Sequence, residues 1–168
     1  MNGKIVVSAI VLTAAIALFG GYWLQEYAYY KPVAFTPGAE ILLTPIASSV
    51  PEAVPVKDIQ GIDATSSPLR FRACFTSDIH LATLTETYKV YDKPTPLYAP
   101  SWFICFDAGK ITDALASGEA VAFLGQANVV PNTDKVQFDR VIAVFADGKA
   151  YAWTQLAPNT PADTGAEE

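Results

Sequence analysis

The chain reads as an α+β protein: an N-terminal transmembrane helix followed by a small, mostly antiparallel sheet domain with one or two short helices. Three observations predict this class. Ile5 to Leu24 carry no charged residue, and none occurs between Lys4 and Glu26. Val141 to Ala146 and Lys149 to Leu156 are two apolar-rich runs joined by Asp147-Gly148, a hairpin dipeptide. Between them lie short apolar stretches punctuated by capping and turn residues, a pattern of strands with brief helices rather than of a bundle.

Twenty residues at the helical rise span about 30 Å, the hydrocarbon thickness of a bilayer. Residues 5–25 are therefore read as a signal-anchor helix behind a tail of residues 1–4. Its polar interruptions, Ser8 and Thr13, have hydroxyls able to bond carbonyls of the preceding turn, so no backbone group is left unmet in lipid. Tyr22, Trp23, Tyr27, Tyr29 and Tyr30 cluster at its end, where amphipathic rings favour the membrane interface. Ala15-Ile16-Ala17 also fits a signal-peptidase site, with Lys4 as its basic flank, so cleavage after Ala17 is the competing reading. The apolar run and its aromatic cluster continue past that site, which favours retention. Lys4 and Lys31 nearly balance across the span, and a four-residue tail carries no domain. The expected topology is N-in, with the C-terminal domain outside the cytoplasm.

Residues 26–66 are read as a Pro-rich entry. Prolines at 32, 37, 45, 51 and 55 exclude a central strand or long helix there. Glu40 to Thr44 is the one stretch in it suited to an edge strand. The domain proper is placed at 67–157, with 158–168 a disordered acidic tail of small residues, two prolines and carboxylates.

Within the domain, Leu69, Phe71, Ala73 and Phe75 alternate with Arg70, Arg72 and Cys74, the pattern of a half-buried strand. Ser77 and Asp78 are placed to cap a short helix through Leu84, and Tyr88 to Asp92 to form a brief strand. Trp102 to Phe106 reads as a buried strand. Asp107 is the N-cap of a helix over Lys110 to Ser117, with Gly118 as its stop. Ala120 to Gly125 is a small apolar strand. The final hairpin is expected to turn on two residues in type I′ geometry, Asp147 and Gly148 both at positive φ.

From Pro32 onward nine Lys or Arg face sixteen Asp or Glu, a balance of −7 with no basic cluster, so nucleic acid and anionic lipid surfaces are poor partners. Glycine-rich phosphate loops and nucleophile elbows are absent. His80, the only histidine, has no ligand-spaced neighbour and reads as a surface or capping residue. Asp107, Asp113 and Glu119 fall on a cap, a solvent face and beyond a helix end, not on one acid–base site. No catalytic residue, metal or cofactor is expected.

Cys74 and Cys105 are the only cysteines. Outside the cytoplasm a structural disulfide is the default, closing a loop of about thirty residues for roughly 3 to 4 kcal/mol. The alternatives are a redox-active dithiol or a soft metal site. Trp102, Tyr151 and Trp153 are candidate partner-surface residues if they face outward, Tyr151 and Trp153 together because they share one face of the hairpin.

Arg72-Ala73-Cys74-Phe75, Ala99-Pro100 with Trp102-Phe103 and Cys105-Phe106-Asp107-Ala108, Asp139-Arg140-Val141, and Asp147-Gly148 with Tyr151-Ala152-Trp153 carry a resemblance. The chain resembles an uncharacterised alphaproteobacterial family of single-span, membrane-anchored proteins with a domain of unknown function. The resemblance implies a Gram-negative inner-membrane setting with the domain in the periplasm, and a cysteine pair that belongs to the family framework. It implies no activity.

Three functional classes follow. The first is a non-enzymatic accessory, assembly or scaffold protein of an inner-membrane complex, with the bilayer and a membrane protein as partners. The second is a thiol-active or metal-handling maturation factor using Cys74 and Cys105. The third is an extracytoplasmic ligand-sensing domain.

Overall fold

The computed structural model describes residues 3–131 and 136–158. The chain divides into two compact units, residues 1–30 and 31–168. In the first, α1 runs over Gly3–Trp23 and continues through one wider turn, Leu24–Ala28. Apart from Lys4, Ser8 and Thr13 it is apolar on every side, and none of its residues is buried. Within Gly3–Ala28 the most apolar 18-residue stretch has a mean hydropathy of 2.2, and the helix is long and apolar enough for a membrane anchor or a signal sequence. The Thr13 hydroxyl donates to the Ala9 carbonyl at 2.9 Å, so this polar side chain is satisfied inside the helix.

The second unit is a six-stranded antiparallel sheet with a two-stranded sheet beside it. In chain order the elements are β1 (Lys31–Pro32), β2 (Ile41–Leu43), β3 (Glu52–Val54), β4 (Lys57–Asp63), β5 (Arg72–Thr76), α2 (Leu81–Thr87), α3 (Ala108–Ser117), β6 (Ala120–Gln126), β7 (Phe138–Phe145) and β8 (Lys149–Leu156). The large sheet has the order β1-β4-β5-β8-β7-β6, and β2 pairs with β3. An α+β class with a mainly antiparallel sheet is what the sequence predicts.

Both faces of the large sheet are covered. On one, Phe71, Ala73, Phe75, Phe123, Ile142, Val144, Ala150 and Ala152 pack against Ile41 and Leu43 of β2, Val54 of β3 and Leu84 of α2. On the other, Cys74, Val141, Ala143 and Trp153 are buried. There Phe106 meets Tyr151 and Trp153 edge to face, and α3, which buries Ile111 and Ala114, packs on β6. The half-buried reading of residues 69–75 therefore changes: Arg72 and Cys74 are buried along with Ala73 and Phe75, because a second layer sits on their side.

The stretch read as an entry segment is part of the fold. β4 pairs with β5 in the centre of the large sheet, β1 forms its edge, and β2–β3 cover one face. The five prolines are accommodated where they remove no ladder bond from the sheet centre: Pro32 sits on the two-residue edge strand, Pro37 lies in the turn closed by Ala39 N on Thr36 O, and Pro45, Pro51 and Pro55 flank β2 and β3. Glu40 to Thr44, read as an edge strand, contains β2.

Local chemistry decides the rest. The Asp107 carboxylate accepts from Lys110 N at 3.1 Å, and Gly118 closes α3 at φ 81°, as the capping residues predict. Ala120 to Gly125 lies within β6. The other helix starts later than expected. The Ser77 hydroxyl accepts from Ile79 N, Asp78 pairs with Lys57, and α2 begins at Leu81 behind His80, whose side chain makes no cap bond. Tyr88 to Asp92 makes only isolated bridges, Tyr88 to Pro45 and Val90 to Phe123.

Trp102 to Phe106 is not a strand. Phe103 N bonds Pro100 O at 2.9 Å and Phe106 N bonds Phe103 O at 3.3 Å, two successive turns that bury Phe103 and Phe106 three residues apart. The final hairpin turns on three residues rather than two. Gly148 N bonds Phe145 O at 3.0 Å, and only Gly148 has positive φ, 84°. That is the turn-plus-left-handed-glycine loop, the commonest alternative to type I′, and its backbone also lies against Ser77 O. The acidic tail from residue 159 lies outside the described residues, as do residues 1 and 2.

Candidate functional site

The sulfurs of Cys74 and Cys105 are bonded, with Cα atoms 6.3 Å apart and a sequence separation of 31. Cys74 is fixed in the middle of the sheet by pairing to Tyr151 on β8, whereas Cys105 sits in the turns after Pro100. The bond therefore clips an irregular segment, residues 93–106, to a rigid sheet.

Two buried side chains, Arg72 and Gln155, hold the same segment from below, and a third, Asp139, holds Tyr91 just ahead of it. Arg72 Nε donates to Leu97 O at 2.7 Å and an Nη donates to Tyr98 O at 3.1 Å, while the other Nη donates to Leu69 O and Phe71 O. The guanidinium also lies 5.7 Å from the Phe106 ring centre. Gln155 Oε1 accepts from Thr95 N at 2.7 Å and from Trp153 Nε1 at 2.9 Å, and its Nε2 donates to Lys93 O. Asp139 accepts from the Tyr91 hydroxyl at 2.9 Å and from Asn128 N at 3.1 Å. Burial, reinforced by Asp139, pushes the Tyr91 phenol well above its ordinary range, so it stays a donor. Each backbone group met this way is one fewer buried group left unpaired.

What the clip presents is apolar. Tyr98 is 83% exposed, Ile104 89% and Trp102 36%, while Phe103 and Phe106 between them are buried. Trp102 rests edge to face on Phe103 at 6.2 Å. Two shallow grooves flank the strip. One, about 290 Å³, runs between Trp102, Ile104, Gln60 and Pro32. The other, about 350 Å³, is bounded by Ile104, Asp107, Lys110, Lys149 and Tyr151. Of the two carboxylates lining that second groove, Asp107 and Asp147, Asp107 is held below the usual range, first by the Lys110 backbone N–H it accepts as helix cap.

The sequence-predicted residues separate accordingly. Cys74 and Cys105 form the disulfide. Trp102 reaches the surface, Tyr151 is half-buried between Phe106 and Phe145, and Trp153 is wholly buried. Tyr151 and Trp153 share a face as expected, but that face is covered, so Trp153 is core and cannot meet a partner. His80, Asp113 and Glu119 are exposed and far from any shared site in the fold. Tyr22, Trp23, Tyr27 and Tyr29 are exposed at the end of α1, with Tyr30 partly so. Sequence reasoning missed Ile104 and Tyr98. Reading residues 102–106 as a strand buried Ile104 by assumption, and only the Phe103–Phe106 spacing of three signals otherwise.

Residues 41–163 match a family of unknown function, DUF6446. The chain belongs to this family. The DUF6446 match opens at Ile41, the first residue of β2, and takes in both cysteines, the 93–106 segment and every strand from β2 to β8. α1 and β1 lie outside it. The disulfide and the apolar strip it clips are thus features of the DUF6446 region itself. Comparisons with curated proteins and with solved structures find no match.

Proposed function

We propose that this DUF6446 protein is a single-span inner-membrane protein whose domain works in the periplasm as a non-enzymatic accessory, assembly or scaffold subunit. The observation that carries it is the clipped strip Tyr98, Trp102 and Ile104. Large apolar side chains are held outward on a segment fixed by a disulfide and by Arg72 and Gln155. A preordered apolar strip rimmed by polar groups loses little conformational freedom on binding, which is what a docking surface requires.

Two further observations support the setting. α1 is apolar all round with its aromatic residues gathered at one end, the arrangement of a retained anchor. A disulfide between the only two cysteines fits an oxidising compartment, hence a domain outside the cytoplasm. The resemblance to single-span alphaproteobacterial proteins accords with both. The partner is a membrane protein with an apolar epitope.

The test is affinity purification of the full chain from gently solubilised membranes, wild type beside Ile104→Asp. The reading expects one reproducible membrane-protein companion that the substitution removes while the domain stays folded. The same companions in both samples, or none in either, refute it.

A further inference from the structure

Arg140 lies on the sheet face that carries Phe71 and Ile142, with its guanidinium carbon 3.4 Å from the centre of the Phe71 ring. Stacking fixes the plane of the guanidinium and leaves its donors along the edge. Among the described residues no carboxylate forms an ion pair with it, and its Nε–H is buried with no acceptor. Thr154 pairs with Arg140 across β7 and β8, is wholly buried on the same face, and its hydroxyl also has no partner. Two polar atoms on facing residues are thus unmet, whereas buried polar groups are nearly always satisfied.

Arg140 also lines a cavity of about 200 Å³, with Ile41, Leu42, Gln126, Val129 and Ile142. At about 30 Å³ per water that space holds roughly six waters or a few carbons with a carboxylate, and it is too small for a nucleotide. Glu40 contributes to the wall, but the charges that act on the Arg140 guanidinium are those of Asp63 and Arg72. Burial lowers the Arg140 pKa to about 10, which still leaves it cationic at neutral pH.

We propose that this cavity binds a short aliphatic carboxylate, whose two oxygens take the two Nη groups of Arg140 end-on while its chain lies against the Ile41, Val129 and Ile142 side. The fork of a guanidinium matches a carboxylate in two parallel hydrogen bonds. One cation facing Ile41, Val129 and Ile142, with the Glu40 carboxylate also in the wall, selects a monoanion with a hydrocarbon tail over the more highly charged phosphate.

The test titrates the full chain in detergent micelles with butyrate, its neutral isostere butyramide, and phosphate, at matched pH and ionic strength. Binding is read by calorimetry and by the Arg140 Nη–H resonance. Wild type is expected to bind butyrate saturably with a downfield shift of that resonance, and to ignore butyramide. Arg140→Met keeps an aliphatic stem over Phe71 and removes an unpaired buried charge, and it should bind about tenfold to a hundredfold more weakly. Arg140→Lys keeps the charge without the fork, and should also weaken binding should the Met variant not fold. No saturable butyrate binding, an unmoved Nη–H resonance, unchanged affinity in the variants, or tighter binding of phosphate than butyrate would each overturn the proposal.

Discussion

Arg72 Nε donates to the carbonyl of Leu97 at 2.7 Å, although Arg72 is a strand residue and Leu97 belongs to an irregular segment with no ladder of its own. A buried guanidinium with five donors replaces the strand partner that the segment lacks. Arg72→Ala removes bonds to four carbonyls at once and leaves them buried. A loss of about 3 kcal/mol or more in denaturant unfolding is expected, with Arg72→Lys restoring only part of it. Amide hydrogen exchange over residues 93–106 should accelerate before that of β7 and β8.

The disulfide closes a separation of 31 residues. Reduction, or Cys74→Ala with Cys105→Ala, should lower unfolding free energy by about 3 to 4 kcal/mol in the chain-entropy view. Far-ultraviolet circular dichroism should change little, because the strands pair without the bond. A loss of the sheet signal on reduction would mean the clip is required for folding itself.

The two tryptophans of the domain should behave oppositely. Trp153 is enclosed by Phe106 and hydrogen-bonded to Gln155, so Trp153→Ala should cost about 3 to 5 kcal/mol. Trp102 is partly exposed on the strip, so Trp102→Ala should cost about 1 kcal/mol or less yet weaken partner capture. Melting curves and co-purification, measured on the same two variants, separate a packing role from a docking role.

Asp63 supplies a pH dependence. Desolvation raises its pKa above the ordinary carboxylate value, with the Ala64 N–H it accepts and the Arg140 and Arg72 charges only partly opposing. A carboxyl whose folded pKa is raised binds its proton more readily folded than unfolded. Stability from this group is therefore present at low pH and lost as pH rises from the unfolded value through the folded one. Asp63→Asn keeps an acceptor for Ala64 N–H and should flatten that slope. Midpoints of urea unfolding between pH 4 and pH 6 read it directly, and an unchanged slope would remove Asp63 as its source.

Elements governed by neighbours in sequence were legible and those governed by distant partners were not. The α3 helix could be read because Asp107 and Gly118 act within one turn of it, and the last hairpin because its strands are adjacent. Its turn was misassigned by one residue, since Asp-Gly serves both loop types and only the φ of Asp147 distinguishes them. β4 was hidden because its partner β5 lies beyond the turn at Pro68, and prolines around β2 and β3 masked strands that tolerate them at edges and ends. Trp153 was offered to a partner because alternation tells which residues share a face, never whether a second layer covers it. The cysteine pair was legible as chemistry, but the surface it organises depended on turns at Pro100 and Phe103 that no period reveals.

The proposed placement of the domain outside the cytoplasm underlies the reading of its partner, and protease accessibility tests it most directly. Spheroplasts carrying the full chain are treated with protease before and after lysis, and the membrane pellet is probed for the domain. The account predicts that the domain is sedimented with the membrane and is cleaved in intact spheroplasts once the disulfide is reduced. A domain protected until the spheroplasts are lysed, or released from the membrane without proteolysis, would contradict it.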